Sequence, residues 1–175
     1  MFLSMLAFLL SMVMFSSLTI ISPGDTKVIQ FFGRYIGTIR KAGLLMTVPF
    51  TTKKKVSVKV RNFETNELKV NDADGNPVNI AAIVVWQVAD TAKSVFAVEE
   101  YENFVTVQAE SALRHVATSH PYDFADPGEE SLRGSTDLVS RELADEVAAR
   151  ITIAGLEVVE TRISSLAYAP EIAQA

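Results

Sequence analysis

The feature that most constrains this chain is an uncharged apolar run at its N-terminus. Residues 1–22 contain no charged side chain and are dominated by Leu, Met, Phe, Val and Ile. An α-helix rises about 1.5 Å per residue, so roughly 20 such residues cross a hydrocarbon core of about 30 Å. We therefore predict a membrane-spanning or membrane-inserted helix over residues 1–22, ended by Pro23-Gly24-Asp25. The side chains expected to contact lipid are Phe2, Leu3, Leu6, Phe8, Leu9, Leu10, Val13, Phe15, Leu18, Ile20 and Ile21.

Two other interpretations of this run stay open. A cleaved signal peptide would leave a secreted or periplasmic binding module, but the run lacks a positively charged start and a clean A-x-A cleavage site. A buried core helix is the other, although a helix that is apolar all round is rare outside a membrane or a large core. Basic residues follow the run, and the positive-inside bias then predicts that the rest of the chain is cytoplasmic.

The composition excludes several functions. The formal net charge is −5 over 175 residues, and the longest basic run has three lysines, so nucleic acid is not an expected partner. The chain has no cysteine, which excludes disulfides, thiolate metal sites, cysteine nucleophiles and S-acylation. The second residue is Phe2, which excludes N-myristoylation. Any membrane attachment must therefore come from the polypeptide itself.

Residues 23–98 have the periodicity of a strand-rich region. Short β-rich runs separated by glycines predict strands at residues 27–32, 35–39 and 44–48. Val56, Val58 and Val60 alternate with polar residues, which predicts one half-buried strand. Phe31, Phe32, Phe50 and Trp86 could contact lipid, but aromatic packing in the core is the favoured expectation.

A hairpin and a central strand complete this region. The polar stretch 71–77 contains Gly75 and Pro77 and predicts a tight turn. The run 78–88 is apolar at its centre on both faces, which predicts a strand covered on each side.

Residues 99–168 change to helical spacing. One helix is predicted to end near Ser119, and a second to begin at residues 135–137. The predicted buried stripe of the second helix is Val139, Leu143, Val147 and Ile151, with Glu146 and Arg150 as an exposed i,i+4 pair. Gly155 is predicted to cap the helix end, and residues 156–163 to form a strand. Residues 169–175 look like the start of a further helix, so the chain is expected to stop just inside a longer one.

These elements predict an α+β fold: an N-terminal helix, then a mostly antiparallel sheet and two packed helices. The short motifs that carry a likeness to known proteins occur in order along residues 22–175. They are Ser22-Pro23-Gly24, Phe32-Gly33-Arg34, Val48-Pro49, Arg61-Asn62-Phe63, Asp74-Gly75-Asn76-Pro77-Val78, Val85-Trp86-Gln87-Val88, Ser111-Ala112-Leu113-Arg114 and Ala169-Pro170-Glu171-Ile172. In this order the chain resembles the SPFH (band 7) family of stomatin, prohibitin and slipin proteins, and bacterial slipins in particular.

The resemblance implies a function and a location. Members of this family are membrane-attached and non-enzymatic, assemble into large homo-oligomers, and organise or restrain membrane proteins such as proteases or channels. The chain is then expected at the plasma or inner membrane of a bacterium, with the lipid bilayer and other copies of itself as partners. The family's long C-terminal coiled coil would begin at residues 169–175 and continue beyond them.

Residues that could carry chemistry are few. His115 and His120 are five positions apart and do not share a helical face, so neither a metal site nor a catalytic role is expected. Asp72-Ala73-Asp74-Gly75-Asn76 faintly resembles a calcium loop, but the acidic residue required after the glycine is replaced by alanines. No cofactor is expected. An enzyme would need a convergent set of titratable groups, which the sequence does not display.

Lys53, Lys54 and Lys55 are the charged cluster with a candidate function. Close to a bilayer they could contact anionic headgroups, with each lysine contributing roughly 1 kcal/mol. A charged β-edge or turn explains them equally well.

Overall fold

The computed structural model describes residues 2–123, 128 and 130–170, and it confirms an α+β chain with antiparallel sheets. The chain divides into two compact units, residues 1–59 and residues 60–175. The first unit contains α1 (Phe2–Ser17), β1 (Leu18–Ile21), β2 (Asp25–Phe31), β3 (Arg34–Ile39), β4 (Gly43–Met46) and β5 (Thr51–Ser57). The second contains β6 (Arg61–Glu64), β7 (Leu68–Asn71), β8 (Pro77–Val88), α2 (Thr91–Phe96), α3 (Tyr101–Ser119), α4 (Thr136–Ile151) and β9 (Leu156–Tyr168).

The N-terminal helix is shorter than predicted. It ends at Ser17, and residues 18–21 form strand β1 instead of a last helical turn. Among the described residues, no helix combines the length and the apolar character that crossing a membrane requires. The prediction of a helix over residues 1–22 is therefore wrong in its extent. The reason is pairing: β1 contains β-branched Thr19, Ile20 and Ile21, and it pairs along its full length with β4.

The first unit contains two small antiparallel sheets. β1 pairs with β4, and β2 lies between β3 and β5. Pro23-Gly24 makes the turn from β1 into β2, with Gly24 at φ +82° and the Asp25 amide donating to the Ser22 carbonyl. Val28 and Val56 are completely or almost completely buried in this unit. The strand predicted from the three alternating valines is wrong beyond Ser57, because β5 ends there and Val60 is exposed.

The second unit is built around β8, as the sequence predicts. β6 and β7 pair along one edge of β8, and β9 pairs along the other edge from Val78 to Val88. Ile80, Ala82 and Val84 on β8 are fully buried. β6, β7 and β8 therefore share a core with α3 and α4, although their sequence pattern groups them with the preceding strands.

The two long helices agree with the sequence. α3 ends at Ser119, and on α4 the predicted stripe of Val139, Leu143, Val147 and Ile151 is fully buried. Glu146 and Arg150 form the expected ion pair at 2.6 Å. Gly155 has φ +69° and caps the short 3₁₀ turn that follows α4. The helix predicted at residues 169–175 falls almost wholly on residues 171–175, which lie outside the described residues.

One helix was missed by the sequence analysis. α2 is only six residues long, too short for a helical periodicity to show. Its signal is Asp90, whose carboxylate accepts hydrogen bonds from the Ala92 and Lys93 amides as an N-cap. An Asp followed by Thr-Ala-Lys could have identified this helix.

The β7–β8 hairpin is organised by one buried carboxylate. Asp72 accepts hydrogen bonds from the amides of Asp74 (3.0 Å), Asn76 (2.8 Å) and Tyr122 (3.1 Å). The sequence that faintly resembles a calcium loop is therefore a hairpin turn whose first carboxylate bonds to backbone amides. The same carboxylate ties the segment after α3 to the hairpin.

Asp72→Ala is expected to lower the free energy of unfolding of the second unit by about 2–3 kcal/mol, because three part-buried amide donors lose their shared acceptor. Urea unfolding followed by circular dichroism measures the loss. Asp74→Ala is the matched control, since this carboxylate is exposed in the same turn and its removal is expected to cost under about 0.5 kcal/mol. Equal losses in the two variants would contradict the role assigned to Asp72.

Candidate membrane-facing surface

Helix α1 exposes apolar side chains around its whole circumference. Within it, only Val13 is half-buried and only Ser17 is buried; every other described side chain is exposed. The helix has no charged residue in its 16 positions. A surface helix normally has one polar face, and a helix that is apolar on all sides is stable where its surroundings are also apolar. The residues predicted as a lipid-contacting anchor from Phe2 to Phe15 all lie on this helix.

The two-stranded sheet that follows has one apolar face. Leu18 pairs with Met46 and Ile20 pairs with Leu44, so these four side chains lie together on one side of the sheet. All four are exposed, Ile20 by 70% and Leu44 by 66%. On the opposite side, Thr19 and Ile21 are buried. We call α1 together with Leu18, Ile20, Leu44 and Met46 the apolar surface.

The last three predicted anchor residues, Leu18, Ile20 and Ile21, do not all face the same side of the sheet. Leu18 and Ile20 belong to the apolar surface, whereas Ile21 is 2% exposed and packs into the first unit. The sequence analysis missed Leu44 and Met46, which contribute half of the exposed sheet face. Leu45 between them is apolar too, so the sequence shows no alternation here, and only the pairing with β1 shows which face Leu44 and Met46 occupy.

Three phenylalanines contradict the prediction of core packing. Phe31, Phe32 and Phe50 are exposed, Phe32 by 83%. Phe31 pairs with Thr51, so all three rings lie at the same end of the β3-β2-β5 sheet. Phe32 and Phe50 have φ of +45° and +61°, values that are rare for bulky residues and mark a position held by its surroundings. Trp86 alone is buried as predicted, with its ring edge-on to Tyr101 at 6.1 Å.

The end of α1 is held by side chains from other parts of the first unit. The Lys53 ammonium donates to the Ser16 carbonyl at 2.9 Å, and the Thr47 amide and hydroxyl donate to the Ser17 carbonyl at 2.7 and 2.9 Å. These bonds satisfy carbonyls that a helix end otherwise leaves without a partner. A cation here also complements the negative end of the helix dipole. Burial, followed by the nearby Lys27 ammonium, lowers the pKa of Lys53.

The three predicted headgroup lysines therefore differ in their environments. Lys55 pairs with the buried Asp25 carboxylate at 2.9 Å, and its hydrogen bond holds the pKa of Asp25 below the ordinary value of 3.8. Because ionised Asp25 is favoured in the folded chain, this contribution to stability is present at neutral pH and is lost as the pH falls below that value. Lys54 is exposed on the opposite face of the edge strand β5.

The second unit shows structural roles for the residues tested for chemistry. His120 caps the end of α3 and bonds to the Glu142 carboxylate at 2.6 Å, and His115 is exposed. Arg61 pairs with Glu102 and lies over the Trp86 ring at 5.8 Å. The hydrogen bond to Glu102, together with the negative charge of this carboxylate, favours the charged form of Arg61 and raises its pKa. In the described part of the chain, no group of three or more His, Asp or Glu side chains could hold a metal ion.

A family model described as the SPFH domain / Band 7 family matches residues 19–175. The chain therefore belongs to the SPFH/band 7 family. This membership is consistent with a membrane-associated scaffold.

One curated relative provides a more distant likeness. It is an uncharacterized protein of Methanothermobacter thermautotrophicus, 26% identical over 103 residues, which are 58% of this chain. The match spans about a third (32%) of that relative's length.

Proposed function

We propose that this chain is a membrane-attached scaffold whose apolar surface enters the lipid. The observation that carries the proposal is that the all-round apolar helix α1 leads directly into β1, whose exposed face is also apolar together with that of β4. Burying one Leu, Ile or Phe side chain is worth roughly 1.5–3 kcal/mol, so even part of this surface supplies strong attachment. Membership of the SPFH/band 7 family supports the same function.

Charged residues of the first unit complete the proposed contact. Exposed Lys54 meets anionic headgroups, whereas the charge of Lys55 is balanced by Asp25 and Lys53 bonds to the end of α1. Basic residues after α1 support a location on the cytoplasmic side of the plasma membrane. The exposed phenyl rings of Phe31, Phe32 and Phe50 suit the headgroup boundary, where aromatic side chains are enriched.

The scaffold acts by bringing other membrane proteins together. We propose self-association into a homo-oligomer and restraint of a partner such as a membrane protease or channel, as the family resemblance implies. Many weak contacts held on one surface gain strength through effective concentration. In this function the chain performs no catalysis.

The apolar surface is tested by charged substitutions on its sheet face. Ile20→Lys/Leu44→Lys places two ammonium groups where lipid is proposed, and is expected to weaken vesicle binding by about a hundredfold or more. Flotation with phosphatidylcholine vesicles, with and without phosphatidylglycerol, measures binding. Deletion of residues 2–17 is expected to abolish flotation on both.

Val107→Lys/Ile153→Lys is the matched control, because both side chains are exposed and apolar but lie in the second unit. It carries the same added charge and is expected to float like the unmodified chain. Flotation of the Ile20→Lys/Leu44→Lys chain at the unmodified level would refute the sheet face as part of the lipid contact, and flotation of the chain without residues 2–17 would refute α1 as the anchor. If vesicle binding did not increase with phosphatidylglycerol, only the headgroup role of the lysines would be refuted.

A further inference from the structure

Strand β9 has a long free edge. It spans 13 residues and pairs with β8 on one side, while none of the described strands pairs with its other side. Proteins usually protect such edges with lysine, proline or a covering segment, because unpaired amides and carbonyls attract another strand. β9 contains neither lysine nor proline. Its free edge is therefore suited to adding one more strand.

The sequence of β9 is complementary to itself in one antiparallel arrangement. We propose that β9 pairs with β9 of a second copy of this chain, across a two-fold axis at Thr161. In this register Glu160 lies opposite Arg162 of the second copy, and the axis repeats the pair. Val159 lies opposite Ile163, and Leu156 lies opposite Leu166. Moving the axis to Glu160 or to Arg162 places like charges opposite each other, which disfavours both shifts.

The local structure leaves the two charged side chains available. Glu160 and Arg162 lie on the same face of the sheet, with 50% and 74% of their side chains exposed. Their contact within one copy is long, at 3.5 Å. The pairing with β8 is irregular near Val159 and Ser164, but residues 160–163 form a regular stretch between those positions. The proposed axis lies within that stretch.

A groove beside the edge provides room for the second copy. α4 and β9 border an open groove of about 580 Å³, lined on the helix by Thr136, Asp137, Ser140, Arg141 and Ala144. Thr161 faces α4 and donates its hydroxyl to the Ser140 carbonyl. A two-fold axis perpendicular to the sheet keeps the helix-bearing faces of both copies on one side. The second α4 then lies beside the first across the groove.

The groove has the chemistry that two antiparallel copies of one helix need. Ser140 and Ala144 are small and lie one turn apart, so the helix backbones can approach closely. Asp137 and Arg141 supply one acid and one base to each copy, and a two-fold axis brings the opposite charges of the two copies together. This inference rests on the proposed scaffold function, because the pairing of two copies is one step in assembling such a scaffold.

Charge reversal tests the register in the full chain. E160R gives a chain with two cations at the paired positions, and R162E gives a chain with two anions. Each alone is expected to weaken self-association about tenfold, because both pairs across the axis become repulsive. An equimolar mixture is expected to restore association, since every pair across the axis is again opposite in charge. Sedimentation in detergent measures the self-association of each chain and of the mixture.

Controls separate this contact from a change in the fold and from the membrane proposal. Glu157→Arg is the matched control, because residue 157 lies opposite Ser165 in the proposed register; its association is expected to be unchanged, and mixing it with E160R is expected to give no rescue. Vesicle flotation of E160R and R162E is expected to equal that of the unmodified chain. Loss of flotation by the Ile20→Lys/Leu44→Lys chain bears on the lipid contact only.

Three results would overturn the β9 contact. They are a monomeric unmodified chain at all concentrations, association of E160R and R162E at the unmodified level, and a mixture no stronger than either variant alone. Since the chain has no cysteine, a second measurement is available without background. Chains carrying Glu160→Cys and Arg162→Cys are expected to form a disulfide on mild oxidation much faster when mixed than alone, because opposite positions are about 5 Å apart and like positions about 7–8 Å. Equal cross-linking within each separate chain would refute the register.

Discussion

Gly155→Ala is expected to lower the free energy of unfolding of the second unit by about 3 kcal/mol, by adding a single methyl group. An added Cβ would lie 2.4 Å from the Asp90 carbonyl oxygen and 2.7 Å from the Lys93 Cβ. The Gly155 carbonyl also accepts hydrogen bonds from the Ala89 and Asp90 amides, both at 2.9 Å, so the backbone cannot move away without breaking them. Urea unfolding followed by circular dichroism measures the loss.

Gly75→Ala separates this clash from the effect of backbone conformation. Gly75 also has a positive φ, +84°, but an added Cβ there meets nothing within 4 Å. Its cost is expected to be about 1 kcal/mol, the penalty of the left-handed region alone. Similar losses at Gly155 and Gly75 would show that the close approach of the 3₁₀ turn to the start of α2 is relieved at little cost.

Leu143→Ala is expected to destabilise the second unit by about 3 kcal/mol. Leu143 is completely buried on α4, and its truncation removes apolar contacts and leaves a cavity. The same unfolding measurement on Leu138→Ala is the control, because Leu138 is on the same helix with 47% of its surface exposed. Its expected cost is about 0.5 kcal/mol.

A small loss for Leu143→Ala would mean that α4 is not anchored to the sheet through its apolar stripe. This outcome would also weaken the β9 contact, because the groove depends on α4 lying against that strand. Neither Leu143→Ala nor Gly155→Ala alters α1, so vesicle flotation of either chain under native conditions is expected to be unchanged.

The parts of the fold that the sequence predicted are those with a long or distinctive local pattern. β8 is 12 residues long and apolar, and α3 and α4 each carry four or more buried residues at helical spacing. Such patterns repeat often enough to be recognised even when a single position deviates from them. Short elements were harder, because the four residues of β1 and the six of α2 hold too few repeats.

The candidate membrane surface was predicted only in part. The apolar run identified the α1 residues, but its composition could not show that residues 18–21 pair with Gly43–Met46. The three exposed phenylalanines were assigned to the core because aromatic residues usually are buried there. They are exposed because the β2–β3 turn and the start of β5 lie together at one end of the sheet, and this placement depends on strand pairing.

By itself, the sequence determined the class of fold, the central strand, the two long helices and the presence of an uncharged apolar segment. These follow from local periodicity and composition, which act over neighbouring residues. Tertiary structure alone decided where α1 ends, which side chains add to its apolar surface, and which edge of β9 is paired by none of the described strands. Each of these depends on pairing between strands far apart in the chain, and a residue's own neighbours do not encode its distant partner.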